Sequence, residues 1–261
     1  MRETRVFDIA VNPTYYKKDA LDKIMDRATE NEVTCLFIGC DMESSTKVLE
    51  LCKEYKAVMC AGVHPNHIDK DEAESGLDNL SDFILSNREH VVAIGECGLD
   101  YCRSGNKMDQ KRVFRRQLEL YGMNVPYLFH QRDAFDDFYK MIRVYPGITG
   151  VVHSYTGTIK EAKKLVELGL YIGLNGCSLR QNTDLAAQLP IDRILVETDS
   201  PFCLIRKSYA ASEYVSVRKA KENEPSFISD VIEVIAGVKR MSYESVQEAV
   251  KENTVRLLFK K

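Results

Sequence analysis

The sequence predicts a closed (β/α)8 barrel, an α/β fold of the TIM type, on three observations. Eight short runs rich in Val, Ile, Leu and Phe recur along the 261 residues. Longer amphipathic stretches lie between them, and the length matches the roughly 250 residues of a typical barrel. An open doubly wound sheet also alternates strands with helices, but closure removes both sheet edges and is the more economical arrangement. The runs are Val6–Asn12, Thr34–Cys40, Val58–His64, Val91–Gly98, Tyr127–Arg132, Gly150–Tyr155, Leu170–Asn175 and Ile194–Asp199. Helical spacing fills the intervals: Val113, Phe114, Gln117, Leu118 and Tyr121 fall at i, i+3 and i+4 steps, as do Ala162, Leu165, Val166 and Leu168. The longer connections are His67 to Asn87 and Pro201 to Pro225, the latter carrying Arg206, Lys207, Arg218, Lys219 and Lys221. Pro225 to Phe259 reads as two further helices closing the outside. No linker, repeat or low-complexity tract divides residues 1–261, so one domain is expected.

With 44% hydrophobic and 29% charged residues the chain can bury a sizeable core and stay soluble, which excludes disorder and a miniature disulfide scaffold. Lys and Arg total 36 against 39 Asp and Glu, a formal charge of −3. Such a chain does not attract polyanions as a whole, and a nucleic-acid role must rest on a local site. The 8 Cys form no C-x-x-C pair, the pattern of a reduced intracellular protein whose cysteines belong to the core. Met1-Arg2-Glu3-Thr4-Arg5 leads into a short apolar stretch lacking the core and cleavage site of a signal peptide, and no apolar run approaches a membrane span. The expectation is a cytoplasmic protein, with the nucleus also compatible, that has no membrane contact and no obligate protein partner and is a monomer.

Residues of a metal-ligand type close these runs: His64 the third, Glu96 the fourth, His130 the fifth, His153 the sixth and Asp199 the eighth. In a barrel those ends open onto one face. Taken singly, each has a plainer reading. A His at a strand end is more often a hydrogen-bonded structural residue, Glu96 reads equally as a buried carboxylate paired with an Arg, and Asp199 as an N-cap before Pro201. Taken together the plain readings weaken, because unpaired carboxylates in an apolar barrel mouth cost several kcal/mol and one divalent cation neutralises them all.

Period-two alternation puts Leu128, His130 and Arg132 on one strand face, Ile94, Glu96 and Gly98 on another, and Glu197 with Asp199 on a third. By the same count Asp8, Ala10 and Asn12 share a side. Carboxylates mixed with imidazoles favour Zn, Mn, Fe or Co over the all-oxygen sites of Ca or Mg, and a metal with an open position activates water at neutral pH. Arg132 can clamp a phosphate or pair with Asp133 or Glu96. Tyr155 and Phe202 can stack on a base or pack the wall.

In order along the chain, Phe7-Asp8-Ile9-Ala10-Val11-Asn12, Ala61-Gly62-Val63-His64-Pro65, Ala93-Ile94-Gly95-Glu96-Cys97-Gly98-Leu99-Asp100, His130-Gln131-Arg132-Asp133, Val152-His153-Ser154-Tyr155-Thr156-Gly157, Tyr171-Ile172-Gly173, Val196-Glu197-Thr198-Asp199-Ser200-Pro201 and Asn223-Glu224-Pro225 resemble the successive motifs of the TatD family of metal-dependent deoxyribonucleases. Asn175-Gly176-Cys177-Ser178-Leu179 further resembles its eukaryotic branch. The resemblance implies an amidohydrolase-type barrel that hydrolyses DNA phosphodiesters, with 3′-exonuclease action and roles in DNA repair and fragmentation. It implies Glu96, His130, His153 and Asp199 as ligands of a divalent ion (Zn, Mn or Mg), with Asp199 also the base for the attacking water. His64 would contact the substrate phosphate or support the metal site, and Asn12, Arg132 and Arg206 stand as further substrate-binding candidates.

Two departures matter. Many relatives carry an H-x-H pair on the first strand, as ligands of a second metal, where this chain has Ala10 and Asn12. One firmly held ion is therefore expected, with the second weak or absent. The Arg that precedes Asn-Glu-Pro in the family is Glu222 here, leaving Lys221 or Arg218 to replace it. Because fold and metal do not fix substrate, two other readings stand beside the nuclease. One is an ester or amide hydrolase such as a lactonase or aminoacyl-tRNA deacylase, and the other a non-catalytic binding protein.

Overall fold

The computed structural model describes residues 6–68, 72–102 and 106–259; the Met1 to Arg5 segment lies outside them. Eight parallel strands form one sheet in sequence order: β1 (Val6–Val11), β2 (Val33–Ile38), β3 (Val58–Ala61), β4 (Val91–Asp100), β5 (Tyr127–Arg132), β6 (Gly150–Val152), β7 (Tyr171–Leu174) and β8 (Ile194–Val196). The sheet meets itself where Val11 bridges Ser200 in parallel and the Asn12 N–H donates to the Ser200 carbonyl at 2.9 Å. This is the expected barrel.

Two apolar layers hold it. The inner one takes side chains from every strand: Ile9, Leu36, Cys60, Ala93, Leu128, Val151, Tyr171 and Leu195 among them. The outer one joins strand residues such as Phe37, Phe129 and Val196 to the helices. Those helices are α1 (Lys18–Glu30), α2 (Met42–Tyr55), α3 (Glu72–Ser86), α4 (Lys107–Leu118), α5 (Phe135–Ile142), α6 (Ile159–Glu167), α7 (Asp184–Gln188), α8 (Ile228–Lys239) and α9 (Tyr243–Leu258). Each helix start that faces a strand end needs its free N–H groups satisfied. Asp41 and Ser44 do this reciprocally for α2, and Thr158 and Glu161 for α6. The two closing helices expected after Pro225 are α8 and α9. Asn253 pins α9 to the foot of β8 through the carbonyls of Ile191 and Ile194.

The structure departs from the sequence reading in four ways. The interval from His67 to Asn87 contains α3. Helical periodicity through Tyr121 breaks at Leu118, where α4 passes into a 3₁₀ turn over Glu119–Met123. The ladders of β3, β6 and β8 stop before the apolar runs do, so His64, His153 and Asp199 sit just past their strands. There Ser154 and Asp199 adopt left-handed backbone angles (φ 45° and 53°) that turn the chain across the barrel mouth.

Fourth, strict alternation fails on β1 and β4, because each carries a bulge. On β4 the register slips between Gly95 and Cys97, so Ala93 lies in the inner layer and Ile94 in the outer one while Glu96 returns to the inside. Ile94 and Glu96 therefore do not share a face. Only glycine fits at the bulge: Gly95 has φ 144°, and a Cβ there would collide with the Leu128 carbonyl oxygen. On β1 the register slips between Asp8 and Val11. Asp8 pairs with Cys35 of the outer layer, whereas Ala10 belongs to the inner one, so Asp8 faces away from Ala10.

Candidate active site

Glu96 is the centre of the site. The bulge carries its side chain inward, where it is buried, and one carboxylate oxygen, Oε1, meets three imidazoles. His153 Nε2 lies 2.6 Å from it, His130 Nδ1 2.7 Å and His64 Nε2 3.3 Å. Burial alone would raise the Glu96 pKa, yet His153, His64 and His130 together hold it well below the usual carboxylate range. Burial likewise opposes charge on His130 and His153. Asp100 and Glu96 outweigh it at His130, Glu96 and Glu197 at His153, and both rings bind a proton more readily than an ordinary imidazole.

The two outer ring nitrogens face carboxylates of their own: His130 Nε2 is 3.4 Å from Asp100 Oδ2, and His153 Nδ1 is 3.6 Å from Glu197 Oε1. Neither nitrogen has a hydrogen-bond partner, nor does the buried Glu197 Oε2. His130 and His153 thus each have one nitrogen at the central carboxylate and the other backed by an acid, the arrangement that orients metal-binding histidines. Mixed imidazole and carboxylate donors that already draw positive charge fit a divalent cation.

His64, Glu96 and His130 offer ligand atoms within 4.8 Å of one another. His64 differs from the other rings at its far nitrogen, which no carboxylate among the described residues backs. Its Nδ1 accepts the Asn66 N–H at 3.0 Å, so in the neutral ring the proton sits on Nε2, which donates towards Glu96. Burial lowers its pKa and favours that neutral form. A donor of this kind suits a phosphate oxygen better than a cation.

Asp199 stands at the opposite side of the mouth. The Asn12 amide donates to its Oδ1 at 3.0 Å and to the Ser200 carbonyl at 3.2 Å, so both Asn12 N–H groups are committed and only its carbonyl oxygen is left for a substrate. Burial pushes the Asp199 pKa up to about 6 against the pull of His153. Behind it, Asn223 donates to the Thr198 carbonyl, while Glu224 pairs with Arg27. The Asn-Glu-Pro run thereby braces the turn that carries Asp199.

The remaining sequence candidates divide. Arg132, at the end of β5, is exposed, and among the described residues its guanidinium makes neither of the pairings considered for it, with Asp133 or Glu96. Arg206 donates to the carbonyls of Ala220 and Lys221, clasping its own loop. Arg218 is held by Asp230 through Nε and Nη2, which removes it as a replacement for the missing Arg and leaves exposed Lys221. Tyr155 is fully buried and packs the core, so it offers no ring face to a base; Phe202 is exposed.

Three participants have no role that the sequence motifs assign. Asp100 and Glu197 back the histidines, and Asn175 donates to Glu197 Oε1 at 3.0 Å and Ser154 Oγ at 2.9 Å. The available signal was period two: Asp100 follows Gly98, and Glu197 precedes Asp199, on the faces that point inward.

A parallel barrel with histidines and carboxylates converging at its C-terminal mouth defines a hydrolase of the metal-dependent barrel class. The match of residues 7–259 to the model of the TatD-related DNase family places it further: the chain belongs to that family, and it is a hydrolytic enzyme acting on ester bonds. It is 49% identical over 259 residues to a protein of Enterocytozoon bieneusi named as a TATDN1 homologue, covering 96% of this chain and 94% of the relative. It is 32% identical to the 3′-5′ ssDNA/RNA exonuclease TatD of Erwinia billingiae, over 97% of this chain and 98% of that one. The crystal structure of a TatD-family hydrolase from Entamoeba histolytica superposes over 100% of both chains with a TM-score of 0.90 at 28% identity. No helix among the described residues is long and apolar enough to cross a membrane.

Proposed function

We propose that this protein hydrolyses DNA phosphodiesters from a 3′ end, as a single barrel domain in which Glu96, His130 and His153 hold one divalent ion (Zn, Mn or Mg) beside Asp199. The observation that carries the reading is the approach of two acid-backed imidazoles to one buried carboxylate oxygen, at 2.6 and 2.7 Å. The relative from Erwinia billingiae, named a 3′-5′ ssDNA/RNA exonuclease, supports the substrate class and the direction.

A divalent ion bound there supplies an acidified water and polarises a phosphoryl oxygen. The protein's own groups do the rest. Asp199, fixed by Asn12 at Oδ1, takes the proton of the attacking water through Oδ2, whose other contacts are the long ones from Ser154 Oγ at 3.4 Å and Cys203 Sγ at 3.5 Å. His64 Nε2–H and the exposed Arg132 guanidinium donate to the non-bridging oxygens and hold the phosphorus in line. Ala10 is buried in the inner layer and Asn12 is engaged with Asp199, so neither position serves a second ion, which is weak or absent.

Labelled single- and double-stranded DNA incubated with and without chelator tests the reading. Chelator-sensitive loss of nucleotides from the 3′ end is expected, and Glu96→Gln should lose both bound metal and cleavage. Absence of chelator-sensitive cleavage under every divalent metal overturns it.

A further inference from the structure

Two aromatic rings stand exposed at the rim of the site. Tyr15 is 61% and Phe202 46% exposed, and their rings meet edge to face with centroids 5.1 Å apart and planes at 78°. Each is tied by one tight turn to a residue of the mouth. The Tyr15 N–H donates to the Asn12 carbonyl at 3.3 Å, within a 3₁₀ turn over Pro13–Tyr15, and the Phe202 N–H donates to the Asp199 carbonyl at 2.9 Å. Asn12 and Asp199 are themselves hydrogen-bonded. Two independent segments, one after β1 and one after β8, therefore set an aromatic corner one turn away from the carboxylate proposed to activate water.

Core packing does not account for this corner. The other large exposed apolar residues described, including Leu85, Met108 and Val144, lie on separate parts of the chain, and exposed apolar residues scattered singly are ordinary. A ring pair gathered beside a phosphodiester site is different, because a nucleotide linked to that phosphate brings its own flat, weakly hydrated face within reach. Every base has a π-face, so recognition by stacking tolerates sequence, and it requires a base that is not already stacked in a duplex.

We propose that Tyr15 and Phe202 form a stacking subsite for the unpaired nucleobase next to the phosphodiester being cut. The proposal rests on the nuclease reading and adds to it the groups that would hold an unpaired terminal base. The two rings are positioning residues: they place the backbone in the mouth and take no part in bond breaking.

The test compares oligonucleotides carrying either a base or an abasic sugar at the two terminal 3′ nucleotides. Wild-type protein should favour the base-containing substrate by about 5- to 150-fold in kcat/KM, mostly through KM. Phe202→Ala should bring that ratio close to 1, and Phe202→Trp should restore it. Equal cleavage of both substrates by the wild type, or an unchanged ratio in Phe202→Ala, overturns the proposal.

A second readout does not depend on cleavage. A 3′-terminal 2-aminopurine on a slowly cut phosphorothioate oligonucleotide should lose fluorescence on binding wild-type protein and keep it with Phe202→Ala. Quenching, with no chelator-sensitive cleavage of the unmodified oligonucleotide under any divalent metal, would sustain base stacking at this corner while overturning the nuclease reading. Cleavage without quenching would do the reverse.

Discussion

Asp8 shows how one bulge changes the role of a residue. Turned away from Ala10, it accepts the Thr198 N–H at 2.9 Å and the Thr198 hydroxyl at 2.5 Å, fully buried beneath the strand that delivers Asp199. Burial outweighs those bonds and lifts its pKa to about 8, from 3.8. The folded protein therefore keeps a proton that the unfolded chain has released. Its contribution to stability is undiminished below about pH 4 and falls as pH rises towards 8, by up to about 1.4 kcal/mol per pH unit. Asn at this position retains a carbonyl for the Thr198 N–H and offers a donor to its hydroxyl without titrating. Melting temperatures measured from about pH 4 to 9, a span that brackets both pKa values, should show Asp8→Asn gaining on the wild type as pH rises. A constant difference across that range would show that Asp8 is already ionised at the acid end. At this scale His64, Glu96, His130, His153 and Asp199 were legible, because ligand-type side chains closing apolar runs are conspicuous. The parts of Asp100 and Glu197 were not, since they depend on ring nitrogens that approach only after the barrel closes.

Among the elements, α4 does more than cover the barrel. Its Gln117 is fully buried, accepts the Val63 N–H at 2.8 Å and donates to the Val63 carbonyl at 3.0 Å, satisfying the backbone just before His64 where β3 has left the ladder. Two turns earlier on the same helix, Gln110 does the same for the N–H and carbonyl of Asp100 at the end of β4. Side-chain amides thus replace the strand partners that the backbone beside His64 and at Asp100 gives up by reaching over the mouth. Gln117→Leu keeps the volume but leaves both Val63 groups unpaired, at a cost of about 1–3 kcal/mol, readable by urea unfolding. Arg115→Ala, on the exposed side of α4, is the control and should cost less than half as much. An unchanged midpoint in Gln117→Leu would mean that water reaches Val63. The order and number of strands were legible from apolar runs alone. Their ends and faces were not, because a bulge consumes one residue without a composition signal, leaving only glycines such as Gly95 to mark it.

For the molecule as a whole, charge and proposed substrate are at odds: the formal charge is −3 and the partner is a polyanion. Binding must then rest on a few local contacts. Among the described residues, Arg206 clasps its own loop, Arg218 is held by Asp230 and Arg180 lies over the Tyr209 ring, so the contacts taken for phosphate are Arg132 and Lys221, with His64 as a neutral donor. Each phosphate neutralised on a single strand contributes about −0.7 to the slope of log affinity against log salt concentration. About two such contacts predict a slope near −1.4, far from the steep dependence of proteins that grip roughly six or more phosphates. Fluorescence anisotropy of a short single strand, titrated over roughly 50 to 200 mM salt, should return about that value. Arg132→Ala should flatten it by about 0.7. A slope steeper than about −4 would require a basic surface away from the mouth, and affinity would then come from the backbone charge that the barrel's overall composition argues against.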